Sequence, residues 1–264
     1  MFITVSITAF AQATVQEIEI FSNAMHKSSR CAVIRPETTD SLAVVYLLHG
    51  YSGNFSNWPA KVPELKQWAE RYRIMIVCPD GGFSSWYFDS PVDSSLRYET
   101  YISTEVPDYI DQHYATLRNR KSRAITGLSM GGHGAMFIAF RHADHFGATG
   151  SMSGGVDVSA IKGKYDIWKR LGDTTRLAAR YAEYSVIGAV SKKPAAPLAI
   201  IFDCGMSDDF FAMNQALHKK LQQLNIAHDC IERPGKHDWD YWKNSVQYQL
   251  LFFSNYFKEA STAK

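Results

Sequence analysis

The chain has 264 residues, of which 46% are hydrophobic and 20% charged, and a formal net charge of +2. That composition excludes a disordered or low-complexity protein, and the length suits one large domain with its own core, expected over residues 14–264. Lys and Arg form no block, so no nucleic-acid partner is expected, and no stretch reaches the roughly 20 apolar residues that span a bilayer, so no membrane partner is expected either.

The opening MFITVSITAFAQA is a short apolar stretch ending in Ala11-Gln12-Ala13, which has the form of a signal-peptide cleavage site. Cleavage after Ala13 would make the protein secreted or periplasmic. No Lys or Arg precedes Phe2, and the alternative is an N-terminal β-strand in a cytoplasmic chain. TVQEIEIF and RCAVIRP then read as antiparallel edge strands. LAVVYLLHG, RIMIVCPDG, SRAITGLSMGG, FGATGSMSGG and PLAIIFDCG are β-rich runs ending in Gly or Asp turns, as expected of parallel strands buried on both faces, and HDCIERPG adds a last strand. PELKQWAERY, ETYISTEVPDYIDQHY, HGAMFIAFRHA, FFAMNQALHKKLQQL and DWDYWKNSVQYQLLFFSNYF carry helical spacing between them. The expected fold is therefore α/β, a doubly wound and mainly parallel sheet. Residues from about 156 to 193 interrupt the alternation and are expected to form a small helical cap beyond the strand ends; the plainer alternative is a decorated surface loop.

Gly127-Leu128-Ser129-Met130-Gly131 fits G-x-S-x-G and lies between a strand and a helix, the context of a nucleophile elbow. A serine hydroxyl is a weak nucleophile at neutral pH and needs a base, with an acid before it in chain order. Of the histidines downstream, His218 lies inside a helix and His228 opens a strand, whereas His237 sits in the loop PGKHDWDYW after the last strand and is the expected base. The acid comes from the loop after PLAIIFD, where Asp203, Asp208 and Asp209 are all candidates and Asp208 is the choice. Asp203 ends the strand and Asp209 suits a helix cap. Backbone N–H groups of Met130 and Tyr51, the latter in YLLHGYSGN, are the expected oxyanion donors. Trp58, Trp86 and Trp239 are the expected substrate-binding aromatics. This chemistry requires no metal and no cofactor, and the scattered Cys31, Cys78, Cys204 and Cys230, with no CxxC pair, give no zinc pattern.

With these pieces in place, the sequence resembles the esterase D family of α/β hydrolases, which includes tributyrin, feruloyl and acetylxylan esterases and S-formylglutathione hydrolases. YLLHGYSGNFSNW resembles the family's oxyanion segment, GLSMGGHGA its elbow, CGMSDDFF its acid loop and HDWDYW its histidine loop. The resemblance implies a serine esterase with Ser129, Asp208 and His237 as its triad and Tyr51 and Met130 as oxyanion donors. Its substrates would be short-acyl or aryl esters, small molecules or saccharides, with acetyl or feruloyl esters of plant polysaccharide as the leading expectation. Tyr51-Ser52-Gly53 departs from the Leu-Thr-Cys stretch of the formylglutathione hydrolases, which disfavours that thioesterase branch. Transfer of the acyl group to an alcohol, as in the mycolyltransferases, and a binding module without catalysis are the rival readings.

Overall fold

A computed structural model describes residues 13–262 except 174, 192, 193 and 195. The expected cleavage segment thus lies, but for Ala13, outside the described residues. The chain opens with a hairpin, β1 (Thr14–Ser22) and β2 (Lys27–Arg35), paired antiparallel from Thr14 opposite Arg35 to Ser22 opposite Lys27. β2 then pairs antiparallel with β4 (Ile74–Pro79). The parallel core comprises β4, β3 (Ala43–Leu48), β5 (Arg123–Gly127), β6 (Ala148–Met152), β7 (Ala199–Gly205) and β8 (Asp229–Arg233), giving the sheet order β1-β2-β4-β3-β5-β6-β7-β8. The expected doubly wound sheet is present, with its antiparallel pair at one edge.

Every residue of β3 and β4 is buried, because helices cover both faces. Alternate residues serve the two layers: Val44, Tyr46 and Leu48 face one core, and Ala43, Val45 and Leu47 face the other. The first layer holds α3 (Tyr98–Thr100), α4 (Val106–His113), α5 (Met130–Arg141) and α9 (Phe211–Gln223); α3 and α4 join through a π-turn at Tyr101–Glu105. The second holds α1 (Asn57–Lys61), α2 (Leu65–Tyr72) and α10 (Trp239–Thr262), whose Trp242, Val246, Leu250 and Phe253 lie on the sheet at helical spacing. Burying each such side chain contributes about 1.5–3 kcal/mol. Among the described residues no helix is long and apolar enough to cross a membrane.

Two consequences of this winding position the site. The chain leaves β3 for β4 on one side, while β5 lies against β3 on the other, so the loop after β3 and the turn after β5 open side by side beyond the strand ends. The segment after β6 carries three short helices, α6 (Ile167–Leu171), α7 (Ala178–Glu183) and α8 (Val186–Ala189). Its Val156, Ile161, Ile167, Leu171, Tyr181 and Val186 belong to the same hydrophobic cluster as α5, so the segment packs on the body of the domain at the strand-end face.

Candidate active site

β5 runs into α5 through Ser129, whose backbone sits at φ 53° and ψ −115°. A serine there stores about 1–3 kcal/mol of strain, which the surroundings must over-determine. They do so through Ser129 N–H, which donates to Met152 O at 2.9 Å, and Ser129 O, which accepts from His133 N–H at 3.0 Å and Gly155 N–H at 3.3 Å. The turn also needs Gly131, since a Cβ there would stand 2.5 Å from His49 O and 2.6 Å from Leu48 O. The strain exposes the Ser129 hydroxyl at the helix N-terminus.

His237 Nε2 lies 2.9 Å from Ser129 Oγ, and its Nδ1 lies 2.9 and 3.0 Å from the two Asp208 carboxylate oxygens. The Asp208 side chain is fully buried, and Oδ1 also accepts Phe210 N–H at 2.8 Å. A buried carboxylate on Nδ1 holds that nitrogen as the donor and leaves Nε2 as the acceptor facing the serine. The loops bearing these residues are fastened together by Met206 N–H to Arg233 O at 2.8 Å and Ser207 N–H to Gly235 O at 2.9 Å. Phe210 and Trp242 pack edge-on against the imidazole, with ring centroids 4.7 and 5.0 Å away.

The rival acids stand elsewhere. Asp203 is completely buried and accepts from Ser245 Oγ, Gln249 Nε2 and Arg233 Nη2; burial raises its carboxyl above the usual range, against the opposing pull of these partners. Asp209 is exposed and makes no cap, because the bond to Phe210 N–H comes from Asp208. His218 and His228 hydrogen-bond to each other at 2.8 Å, and His133 is packed inside α5, where burial lowers it to about 4.

Beside Ser129, the loop after β3 is held by His49, the histidine of YLLHGYSGN. His49 is buried: its Nε2 accepts Gly81 N–H at 2.7 Å and its Nδ1 therefore donates to Gly50 O at 2.8 Å. Burial lowers its pKa and keeps it neutral. Among the described residues, the N–H groups of Tyr51 and Met130 donate no hydrogen bond. Two unpaired amides next to a nucleophile can receive an oxyanion.

Gly50, Tyr51, Ser52, Gly53, Asn57, Leu128, Ser129, Tyr165, His237, Trp239 and Trp242 line a cleft of about 270 Å³. Trp239 is thus at the cleft, whereas Trp58 and Trp86 are not. Trp58 is fully buried, donating from Nε1 to Leu48 O at 2.9 Å and lying edge-on behind Trp239 at 5.2 Å. Trp86, 1% exposed, donates to Tyr165 O at 3.0 Å. Both indoles brace the wall and do not form its surface, which corrects their expected place.

Sequence reasoning missed Tyr165. It and Asp166 are consecutive left-handed residues (φ 54° and 58°), which turn the tyrosine ring between Tyr51 at 5.5 Å and Phe210 at 6.1 Å. Asp166 is kept ionised by Lys169 at 2.9 Å and accepts the Tyr51 hydroxyl at 3.3 Å, so the helical segment is tied to the loop after β3.

A doubly wound sheet with a serine elbow at its switch point defines the α/β hydrolases, and the relatives below place this one among the carboxylic ester hydrolases. The chain belongs to the family described as "Putative esterase", whose model matches residues 22–253. It is 24% identical over 257 residues to an acetyl esterase of Caldicellulosiruptor saccharolyticus, covering 88% of this chain and 95% of that one. Among solved structures it is similar to a ferulic acid esterase (26% identity, TM-score 0.78, covering 93% of this chain and 99% of that one). An S-formylglutathione hydrolase from Agrobacterium tumefaciens shares the fold (21% identity, TM-score 0.83, covering 97% and 100%).

Proposed function

We propose that this enzyme hydrolyses short-acyl or aryl carboxylic esters through a covalent acyl-enzyme on Ser129. The observation that carries the reading is the unbroken chain from Ser129 Oγ to His237 Nε2 at 2.9 Å and from His237 Nδ1 to Asp208 at 2.9–3.0 Å, next to the unpaired N–H groups of Tyr51 and Met130. Ser129 Oγ attacks the ester carbonyl as its proton passes to His237 Nε2. Asp208 stabilises the resulting imidazolium, and the two amides hold the oxyanion. The C–O bond breaks as the alcohol leaves with the His237 proton, and a water deprotonated by the same nitrogen then releases the acid. No step calls for a metal or cofactor.

The cleft of about 270 Å³ suits a small acid and part of its alcohol, and the rings of Tyr51, Tyr165 and Trp239 suit flat aryl or sugar groups. Acetyl and feruloyl esters of plant saccharides therefore lead the substrate classes, a reading in keeping with the named acetyl and ferulic acid esterases. Rates on acetyl, butyryl and feruloyl esters, each with wild type and Ser129→Ala, test it. Turnover of acetyl or feruloyl esters that disappears with Ser129→Ala is expected. Turnover that persists in Ser129→Ala would overturn the mechanism, and a wild type fastest on long acyl chains would overturn the substrate class.

A further inference from the structure

Behind the site, a buried polar network ties together the strands that carry its three reacting groups. Gln249, on α10, is completely buried. Its Oε1 accepts the Thr126 hydroxyl at 2.7 Å, and its Nε2 donates to Ser151 O at 3.2 Å and to Asp203 Oδ2 at 3.0 Å. Asp203 in turn accepts from Ser245, one turn earlier on α10, and from Arg233 Nη2 at 3.2 Å. Thr126 stands on β5 three residues before Ser129, Asp203 on β7 five before Asp208, and Arg233 at the end of β8 four before His237. α10 itself begins two residues after His237.

The sheet makes room for this arrangement at one point. A Cβ on Gly150 would stand 1.9 Å from Gln249 Oε1, so the glycine in β6 is what lets the amide lie against the sheet and reach β5 and β7 together. The network carries real costs, since Asp203 is fully buried and, among the described residues, Arg233 Nε and Nη1 are buried without a hydrogen-bond partner. An apolar filling of the same volume would hold the helix to the sheet without those costs. Apolar contacts are non-directional, however, whereas hydrogen bonds hold each strand at a set distance and angle.

We propose that Gln249 and Asp203 are positioning residues for ester hydrolysis: they set the relative positions of β5, β7 and β8, and through them the Ser129–His237 and His237–Asp208 distances. This rests on the catalytic reading proposed above. None of the network's side chains lines the cleft, so they act on the alignment of the reacting groups and not on substrate affinity. Displacing reacting groups by about 1 Å costs about a hundredfold in rate, so partial loosening is expected to cost about ten- to a hundredfold.

The experiment uses Gln249→Leu and the near-isosteric Thr126→Val, with Thr126→Ser restoring the hydroxyl. Turnover of p-nitrophenyl acetate is measured per site titrated with a fluorophosphonate, so that loss of folded protein does not count. Gln249→Leu and Thr126→Val are expected to lose about ten- to a hundredfold in kcat with KM within about twofold, and Thr126→Ser to recover most of it. Unchanged kcat per titrated site in Gln249→Leu and Thr126→Val, whatever happens to Tm, would overturn the proposal. Retained turnover in Ser129→Ala would instead overturn the catalytic reading beneath it.

Discussion

Asp208→Asn is the substitution that separates orientation of the base from everything else at the site. The asparagine fits the same buried space, and its carbonyl can keep the bond to Phe210 N–H, now 2.8 Å from Asp208 Oδ1. Its amide then faces His237 Nδ1, which sits within 3.0 Å of both carboxylate oxygens. Nδ1 must accept, so the ring proton moves to Nε2 and an N–H points at Ser129 Oγ, which can no longer give up its proton. The buried charge that stabilises the imidazolium disappears as well. The same change in a serine protease triad costs about 10⁴ in kcat, equivalent to about 5 kcal/mol, and a loss of that order is expected here. The assay is kcat for p-nitrophenyl acetate in Asp208→Asn beside Asp209→Asn, whose exposed side chain is expected to leave the rate within twofold. Asp208→Asn within tenfold of wild type would refute the reasoning, and a collapse with Asp209→Asn would transfer the role.

Three further outcomes follow from the packing. Gly131→Ala drives a methyl to 2.5 Å from His49 O, a backbone atom with little freedom to move; it is expected to cost at least about 2 kcal/mol in a denaturation curve, and a wild-type midpoint would contradict the close approach. His133 is buried neutral with its pKa lowered to about 4 from 6.5, so the unfolded chain binds the extra proton between those values. Its contribution, about 3 kcal/mol, is therefore complete above pH 6.5 and lost as pH falls towards 4. Urea midpoints against pH should steepen through that window for wild type and flatten for His133→Phe, and parallel curves would rule this out. Tyr165→Ala should open the cleft and raise the butyryl-to-acetyl rate ratio about tenfold, the worth of two buried methylenes at about 0.8 kcal/mol each. An unchanged ratio would remove Tyr165 from the acyl side.

The parts of the molecule written in local patterns were legible beforehand. β3 to β7 announce themselves as apolar runs because both faces are covered, and the loops holding Ser129 and Asp208 follow such runs directly; His237 follows the shorter, half-exposed β8 and is marked by its Pro/Gly loop. What separates Asp203 from Asp208 is not local: Ser245 and Gln249 lie more than forty residues on, and only the docking of α10 brings them to the first carboxylate and leaves the second for the histidine. The tryptophans failed for a similar reason. Trp58, in α1, and Trp86, in a loop, both follow strand ends, where an aromatic can face the cleft or stand behind it, and their indole N–H bonds to Leu48 O and Tyr165 O hold them behind it. Tyr165 carries no signal of its own, since its direction comes from two successive left-handed residues without glycine.

The most direct test of the account is to label the protein with a fluorophosphonate and locate the modified peptide by mass spectrometry. A single adduct on Ser129, formed in step with loss of p-nitrophenyl acetate turnover and absent from Ser129→Ala, is the predicted result. Labelling elsewhere, or turnover that survives complete modification of Ser129, would contradict a Ser129 acyl-enzyme.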